Sequence, residues 1–193
     1  SMVRRTAHPS NVQLPMHRLA IIVVSYNVRD HLRRCLHSVV AAAARDTDRL
    51  RVELVVVDNA STDGSAAMVA AEFPQARLLA NTDNVGFTQA NNMALRALGF
   101  AVCTGSEAPA GMPATDEKPD FVLLLNPDTE IVDDALWQLV SFLVSHPEAG
   151  VCGARLQYGN GAFQHGAFAF PTLAQVALDL FPPTSLPAGH RLL

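Results

Sequence analysis

The chain has 193 residues, which is enough for one domain with a complete hydrophobic core. Hydrophobic residues make up 49% of it and charged residues 17%, a balance that excludes an intrinsically disordered protein. The formal net charge is −4 and no block of Lys or Arg stands out, which excludes a nucleic-acid groove because such a groove needs a basic face.

The cysteines and the apolar runs indicate the compartment. Cys35, Cys103 and Cys152 are odd in number and far apart, so they fit neither a disulfide framework nor a zinc site. A reduced, cytoplasmic location is therefore predicted. The apolar runs are too short to span a bilayer, and the start of the chain lacks a signal-peptide pattern. Residues 1–17 are predicted to be a flexible leader, because the first two residues resemble a tag remnant.

The first half of the chain alternates buried strands with amphipathic helices. Residues 19–25 (LAIIVVS) form a continuous aliphatic run, as expected of a strand buried on both faces. The i, i+3, i+4 spacing of apolar residues predicts a helix over 28–45, with Asn27 as its N-cap. The same reasoning predicts strands at 52–58 and 76–80 and helices at 64–73 and 88–99.

The second half begins with a Gly-, Pro- and Ala-rich surface insertion at 100–120. A fourth strand is predicted at 121–126, a helix at 133–146 and a fifth strand at 150–156. A short helix is predicted at 172–181, ended by two prolines. The strand–helix alternation predicts an α/β fold with a mostly parallel central sheet and helices on both faces.

Polar residues stand at the end of each predicted strand, at the edge where open α/β sheets bind ligands. They are Ser25, Tyr26 and Asn27 at the first strand, Asp58, Asn59 and Ser61 at the second, Asn84 and Gly86 after the third, and Asn126 and Asp128 at the fourth. Simpler explanations remain open at this point. Asn27, Asp63 and Thr88 can each cap a helix, and the residues after the second and third strands can be ordinary turn residues.

Common nucleotide and hydrolase signatures are missing from the sequence. The first strand is not followed by G-x-G-x-x-G, which excludes a Rossmann dinucleotide site, and the absence of G-x-x-x-x-G-K-[ST] excludes a P-loop enzyme. No G-x-S-x-G elbow indicates a serine hydrolase. The ligand predicted at the sheet edge must therefore be recognised in another way.

Four segments in this order, VVSYN, VVVDNASTDGS, NVGFTQANN and LLLNPDTEI, resemble the donor-binding half of glycosyltransferase family 2. The resemblance covers about Leu19 to Leu156, and the NPD form is similar to the rhamnosyltransferase-like branch of bacterial cell-surface polysaccharide synthesis. It implies the GT-A fold, a Rossmann-like arrangement that binds nucleotide-diphospho-sugars. It also implies a donor-binding domain at 18–160 and the start of an acceptor region at 161–193, so the chain is expected to be truncated at its C-terminus.

By position, the resemblance implies a role for each polar residue. Asp58 would accept the imide N–H of a uracil or thymine ring, a task that suits a carboxylate because it is acceptor-only when ionised. Asp63 matches the second aspartate of the same loop. The segment that frames the base is matched by Ser25, Tyr26 and Asn27, and the segment near the ribose and diphosphate by Asn84, Gly86 and Asn91.

The NPD segment implies a metal site. Asp128 matches the last residue of the Asp-x-Asp signature and would bind Mg²⁺ or Mn²⁺ that bridges the diphosphate. Asn126 stands at the first aspartate position, where an amide oxygen is a weaker partner for a cation. Asn126 is therefore expected to orient the donor rather than to ligate the metal.

The implied reaction transfers a sugar, with inversion, from a dTDP- or UDP-linked donor to a polysaccharide or lipid-linked acceptor. Family members place a catalytic base in a later acidic segment, but after Leu156 the only carboxylate is Asp179, within an apolar helical pattern. The catalytic base is thus unassigned. The full-length protein is expected to work in the cytoplasm, with peripheral association at the inner face of the membrane as an open alternative.

Two other functions remain as alternatives. One is a non-catalytic nucleotide-binding or interaction domain, which the missing acidic segment keeps open. The other is a sugar-phosphate nucleotidyltransferase, which also pairs an α/β sheet with a metal-binding aspartate. It is disfavoured because SYNVRD follows the first strand, where a Gly-rich, basic loop is typical.

Overall fold

The structure is a computed structural model that describes residues 16–100 and 118–164. The chain divides into two compact units, Ser1–Cys152 and Gly153–Leu193. Most of the predicted leader and insertion and the predicted helix at 172–181 lie outside the described residues.

The first unit alternates four strands with four helices. The strands are β1 (His17–Ser25), β2 (Leu50–Asp58), β3 (Arg77–Ala80) and β4 (Phe121–Leu125). The helices are α1 (Arg29–Arg45), α2 (Ser65–Glu72), α3 (Phe87–Ala97) and α4 (Ala135–Ser145). Each of these elements is predicted from the apolar pattern, with ends that differ by one or two residues.

The four strands form one parallel sheet in the order β3-β2-β1-β4. Strand β1 lies at the centre of this order, and its last residue, Ser25, is in register with Asp58, the last residue of β2. On the other side, Val23 is in register with Leu125 of β4. The carboxyl ends of the strands therefore lie next to one another.

Alternate residues of β1 bury themselves on opposite faces of the sheet. Ile21 and Val23 face a core that α1, α2 and α4 cover, and Ala20 and Ile22 face a second core that α3 covers. Both faces are thus covered by helices. The predicted α/β fold with a mostly parallel sheet and helices on both faces is confirmed.

The fifth strand predicted at 150–156 is wrong. Only Leu156–Gln157 is extended as β5, and it pairs antiparallel with β6 (Phe163–Gln164) in the second unit. Two glycines interrupt the predicted run, and glycine weakens a strand because it offers no side chain to pack. The β5–β6 turn is closed by a hydrogen bond from the amide of Gly161 to the carbonyl of Tyr158, 2.8 Å long.

The predicted N-cap of α1 is also wrong. Helix α1 begins at Arg29 after Val28, and no side chain caps it from the N-cap position. Asn27 instead adopts a left-handed φ of 53°, which takes its side chain out of capping position. Thr88 likewise lies inside α3, whose N-cap position is Gly86.

Within 16–100 and 118–164, every helix falls short of the length and apolar character needed to cross a membrane.

Candidate functional site

The polar residues predicted from the sequence lie at the carboxyl edge of the parallel sheet or in the loops that follow it. This placement follows from the parallel topology, because each strand ends at the same edge. Strand β1 and the loop after it supply Ser25, Tyr26 and Asn27; β2 and its loop supply Asp58 and Asp63; the β3–α3 loop supplies Asn84 and Gly86; and the β4–α4 loop supplies Asn126 and Asp128. Asn91 lies further along, in α3.

Two polar atoms at the centre of this edge are buried and lack a hydrogen-bond partner within the described part of the chain. Asp58 is 2% exposed, and its Oδ2 accepts a hydrogen bond of 2.9 Å from the amide of Ser61. Its Oδ1 and the hydroxyl of the neighbouring Ser25 have no hydrogen-bond partner among the described residues. A buried polar atom without a partner costs about 1–3 kcal/mol. The pair therefore points to a ligand with a donor for Asp58 and an acceptor for Ser25.

The loops after β1 and β2 are fastened to each other. The amide of Asn27 donates to the hydroxyl of Ser61 at 3.0 Å, and the amide of Thr62 donates to Oδ1 of Asn27 at 2.8 Å. Asn27 thus holds the second loop in place. Tyr26, which lies between Ser25 and Asn27 in the sequence, is an aromatic residue that is 50% exposed.

Asp63 joins the N-termini of two helices. Its Oδ2 accepts from the amide of Arg29 in α1 at 2.9 Å, and its Oδ1 accepts from the amide and the hydroxyl of Ser65 in α2 at 3.0 and 2.6 Å. Burial opposes ionisation, but hydrogen bonds from Ser65 and Arg29 outweigh it and lower the pKa of Asp63. Both oxygens therefore serve the protein itself, and the capping role left open by the sequence is present.

The β3–α3 loop is held by a network of side-chain amides. Oδ1 of Asn59 accepts from Nδ2 of Asn81 and from the amide of Val85, each at 3.1 Å. Its Nδ2 donates to Oδ1 of Asn84 at 2.7 Å, and that oxygen also accepts from the amide of Gly86 at 3.0 Å. Gly86 has φ 81° and ψ 164°, a conformation that is essentially restricted to glycine.

The side chain of Asn91 forms a hydrogen bond within its own helix. Its Nδ2 donates to the carbonyl of Phe87, one turn earlier in α3, at 2.9 Å, and the residue is buried. The amide nitrogen is thus used in a local contact rather than at the sheet edge.

The β4–α4 loop is anchored through its backbone. The carbonyl of Asn126 accepts from the hydroxyl of Thr129 at 2.7 Å and from the thiol of Cys35 in α1 at 3.6 Å. Burial, together with the negative charges of Asp128 and Glu130, raises the pKa of Cys35 to about 12. The thiol therefore stays protonated and remains a donor. The side chains of Asn126 and Asp128 are themselves exposed.

The residues around Asp128 fit a metal ion only if a ligand supplies most of its coordination. No group of three or more His, Cys, Asp or Glu residues within the described ranges could hold an ion alone. Glu130 forms an ion pair in which its Oε1 lies 3.4 Å from Nε of Arg34. One exposed carboxylate is compatible with Mg²⁺ or Mn²⁺ when diphosphate oxygens and water complete the coordination.

The sequence assigned no role to three residues that shape this edge. Asn59 organises the β3–α3 loop, Ser61 binds Asp58 and Asn27, and Cys35 anchors the β4–α4 loop. Asn59 and Ser61 belong to the DNAS segment, so their presence beside Asp58 was a usable signal. Cys35 gives no such signal, because in the sequence it is one more apolar position on the buried face of α1.

Comparison with known proteins finds similarity to one family. Residues 20–100 match the family model described as glycosyl transferase family 2. Two curated relatives are N-acetylglucosaminyl-diphospho-decaprenol L-rhamnosyltransferases of Mycobacterium tuberculosis, from strains CDC 1551 / Oshkosh and ATCC 25618 / H37Rv. Each is 29% identical over 155 residues, which is 80% of this chain. The chain spans 46% of the length of these relatives.

Two solved structures align with the chain. The mannosyltransferase PcManGT from Pyrobaculum calidifontis, in complex with GDP-Man and Mn²⁺, has a TM-score of 0.49 and 25% identity. The alignment covers 68% of this chain and 33% of that protein. S. aureus TarS in complex with UDP has a TM-score of 0.48 and 22% identity, covering 67% and 33% of the two chains.

The resemblance to glycosyltransferase family 2 seen in the sequence is therefore confirmed, since residues 20–100 match the family model and a rhamnosyltransferase is among the relatives.

Proposed function

We propose that the chain carries the donor-binding part of a glycosyltransferase that uses a UDP- or dTDP-linked sugar. The family match over residues 20–100 supports a nucleotide-sugar donor. The observation that carries the proposal is the buried oxygen of Asp58 that has no partner among the described residues, beside the equally unpartnered hydroxyl of Ser25.

A uracil or thymine ring fits these two atoms. Each ring has one imide N–H flanked by two carbonyl oxygens, so it can donate to a carboxylate while accepting from a neighbouring hydroxyl. Asp58 would accept the N–H through Oδ1, and Ser25 would donate to a carbonyl. The ring of Tyr26, which is exposed, would pack on the face of the base.

The diphosphate would lie toward Asp128. Asp128 is the residue that would hold Mg²⁺ or Mn²⁺, and Asn126 would orient the donor beside it. When bound, such an ion would stabilise the negative charge of the departing nucleoside diphosphate.

The acceptor is inferred from the relatives. They are named for a decaprenol-linked substrate, so a lipid-linked or cell-surface glycan acceptor is proposed for the whole protein, working in the cytoplasm at the inner face of the membrane. The proposed reaction is a single displacement with inversion, and its catalytic base is unassigned.

A nucleotide panel tests donor binding. UDP, dTDP, GDP and CDP are added with and without Mn²⁺, and the melting temperature is recorded. UDP or dTDP at 100 times its Kd should stabilise the protein by about 2.7 kcal/mol, which corresponds to roughly 5–11 °C in a domain of this size. Asp58→Asn keeps an acceptor for Ser61 but replaces the buried oxygen with a donor, so it should abolish most of the shift.

Asp128 and a matched control complete the experiment. Asp128→Asn should remove the part of the shift that depends on Mn²⁺ and leave the metal-free part in place. Asp48→Asn makes the same charge change at an exposed position beside Arg49 and should behave like the wild type. A wild-type protein that is folded but unaffected by all four nucleotides would refute the proposed donor site, and binding without sugar transfer by the full-length protein would favour the non-catalytic alternative.

A further inference from the structure

Asn59 is buried at the edge of the candidate site, yet its side chain contacts protein groups only. It is 3% exposed, and its amide uses both ends in the network of the β3–α3 loop. The orientation of this amide is determined by the backbone. The amide of Val85 can only donate, so the group facing it at 3.1 Å must be the oxygen of Asn59.

The orientation of Asn59 dictates the orientation of Asn84. Because Nδ2 of Asn59 is a donor, the atom of Asn84 that meets it at 2.7 Å must be an acceptor. The same oxygen accepts from the amide of Gly86, which confirms its identity a second time. Asn84 is exposed, so the end of its amide that is left for a ligand is the –NH₂ group, which is donor-only.

We propose that Asn59 is a positioning residue that fixes the polarity of Asn84, so that the β3–α3 loop presents an N–H donor to an acceptor oxygen of the nucleotide bound at Asp58. This inference rests on the proposed donor site. Asn59 directly follows Asp58, so Asn84 lies on the side of the sheet edge where the base is proposed to bind. There an N–H donor stabilises an acceptor oxygen of the ligand, whereas a carbonyl oxygen would repel it.

The substitution Asn59→Asp reverses this polarity with almost no change in shape. A carboxylate can still accept from Asn81 and Val85 but cannot donate to Asn84. Asn84 must then rotate its amide so that –NH₂ faces inward, which turns its oxygen toward the ligand and leaves the amide of Gly86 without its acceptor.

The first test uses the protein without nucleotide. Amide hydrogen exchange followed by NMR should show Gly86 exchanging about three- to ten-fold faster in Asn59→Asp, as expected for one lost hydrogen bond. Val85 should keep its protection. Asn160→Asp is the matched control, because the oxygen that accepts from the amide of Ala162 is retained and the charge change is the same. Equal loss of protection at Val85 and Gly86 would overturn the inference, since it would indicate general loosening of the loop.

The second test measures binding by calorimetry. Asn59→Asp should weaken uridine or thymidine about three- to ten-fold, the effect of losing one hydrogen bond. A nucleoside is the probe because the added carboxylate would by itself repel a diphosphate. An unchanged nucleoside affinity would overturn the inference.

A double-mutant cycle shows whether Asn59 acts through Asn84. In the Asn84→Ala background, Asn59→Asp should have less than about a two-fold effect on uridine binding, because the group that it orients is gone. Additive losses would contradict the inference. Should Asn59→Asp fail to fold, Asn84→Asp takes its place: it keeps the inward acceptor and the protection of Gly86 but must lose affinity for uridine. Wild-type affinity in that variant would equally overturn the inference.

The two proposals fail in different ways. A wild-type protein that binds no nucleoside diphosphate refutes the donor site and with it the ligand half of this inference. The exchange rates of Val85 and Gly86 in the free protein still decide whether Asn59 sets the orientation of Asn84.

Discussion

A single carboxylate, Asp63, stabilises two helix N-termini in this protein. Its two oxygens accept from the amides of Arg29 and Ser65, which begin α1 and α2. Such amides lack partners within their own helices, so each bond offsets a cost that the helix would otherwise carry. Asp63 thereby ties together the loops that carry Asn27 and Asp58.

Asp63→Asn is expected to destabilise the protein by about 0.5–2 kcal/mol, because one of the two caps is replaced by an N–H₂ group. The folded-state pKa is lowered from 3.8, so the stabilisation is present at neutral pH and is lost as the pH falls through that lowered value. In urea unfolding, the difference in the free energy of unfolding between wild type and variant should therefore be largest near neutral pH and should shrink in strong acid. Asp48→Asn, at an exposed position, is the control, and a difference that grew in acid would contradict the assignment.

At the scale of elements, helix α1 fixes the position of the β4–α4 loop. The thiol of Cys35 donates to the carbonyl of Asn126, and the hydroxyl of Ser38 accepts from the amide of Ile131 at 2.8 Å. These contacts join residues about 90 positions apart. The proposed metal-binding segment is therefore held by hydrogen bonds to a helix from the first half of the chain.

Cys35 should be unreactive in the native protein. Burial and the nearby charges of Asp128 and Glu130 raise its pKa to about 12, so almost no thiolate exists near pH 8. A variant with Cys103→Ser and Cys152→Ser should react with a disulfide reagent only after unfolding. The companion variant that retains Cys152, which is partly exposed, should react in the folded state. Equal native reactivity of the two thiols would show that the contact with Asn126 is not formed.

The elements were predictable where burial alone determines them. Aliphatic runs such as LAIIVVS and VELVVVD give strands because a parallel sheet covered on both faces needs continuous apolar residues. The run at 150–156 has a similar composition but does not form a strand of the sheet, and its Val151 is 85% exposed. Local pattern does not reveal whether a neighbouring strand is present to pair with such a segment.

At the scale of the whole molecule, the parallel arrangement of the strands predicted where the site lies. It did not predict which residues of the site bond to one another. The edge follows from the alternation of strands and helices. The contacts of Asn27 with Thr62 and of Asn59 with Asn84 and Val85 join residues 35, 25 and 26 positions apart. Such pairings depend on the folded positions of the loops, which no periodicity in the sequence encodes.

Hydrogen exchange should divide the sheet into a centre and two edges. Strand β1 pairs on both sides and is almost fully buried, whereas β4, within the described part of the chain, pairs with β1 alone. Amides of β1 should exchange only through global unfolding, and the amides of β4 that point away from β1 should exchange faster. The outward amides of β3, the opposite edge, are the internal control. Uniformly slow exchange along β4 would mean that another strand covers it.

The register of Ser25 with Asp58 has a consequence for the order of folding. Strands β1 and β2 are joined by α1 alone, whereas β4 reaches β1 only across a gap of 102 residues, as in the contact of Arg18 with Asp120. Closing a short loop costs less entropy than closing a long one, so the β1–α1–β2 unit is expected to form first. The pair proposed to recognise the base would then exist in the nascent domain before Asp128 arrives. A nucleotide that binds this pair would stabilise the β1–α1–β2 unit before the proposed metal-binding loop is complete.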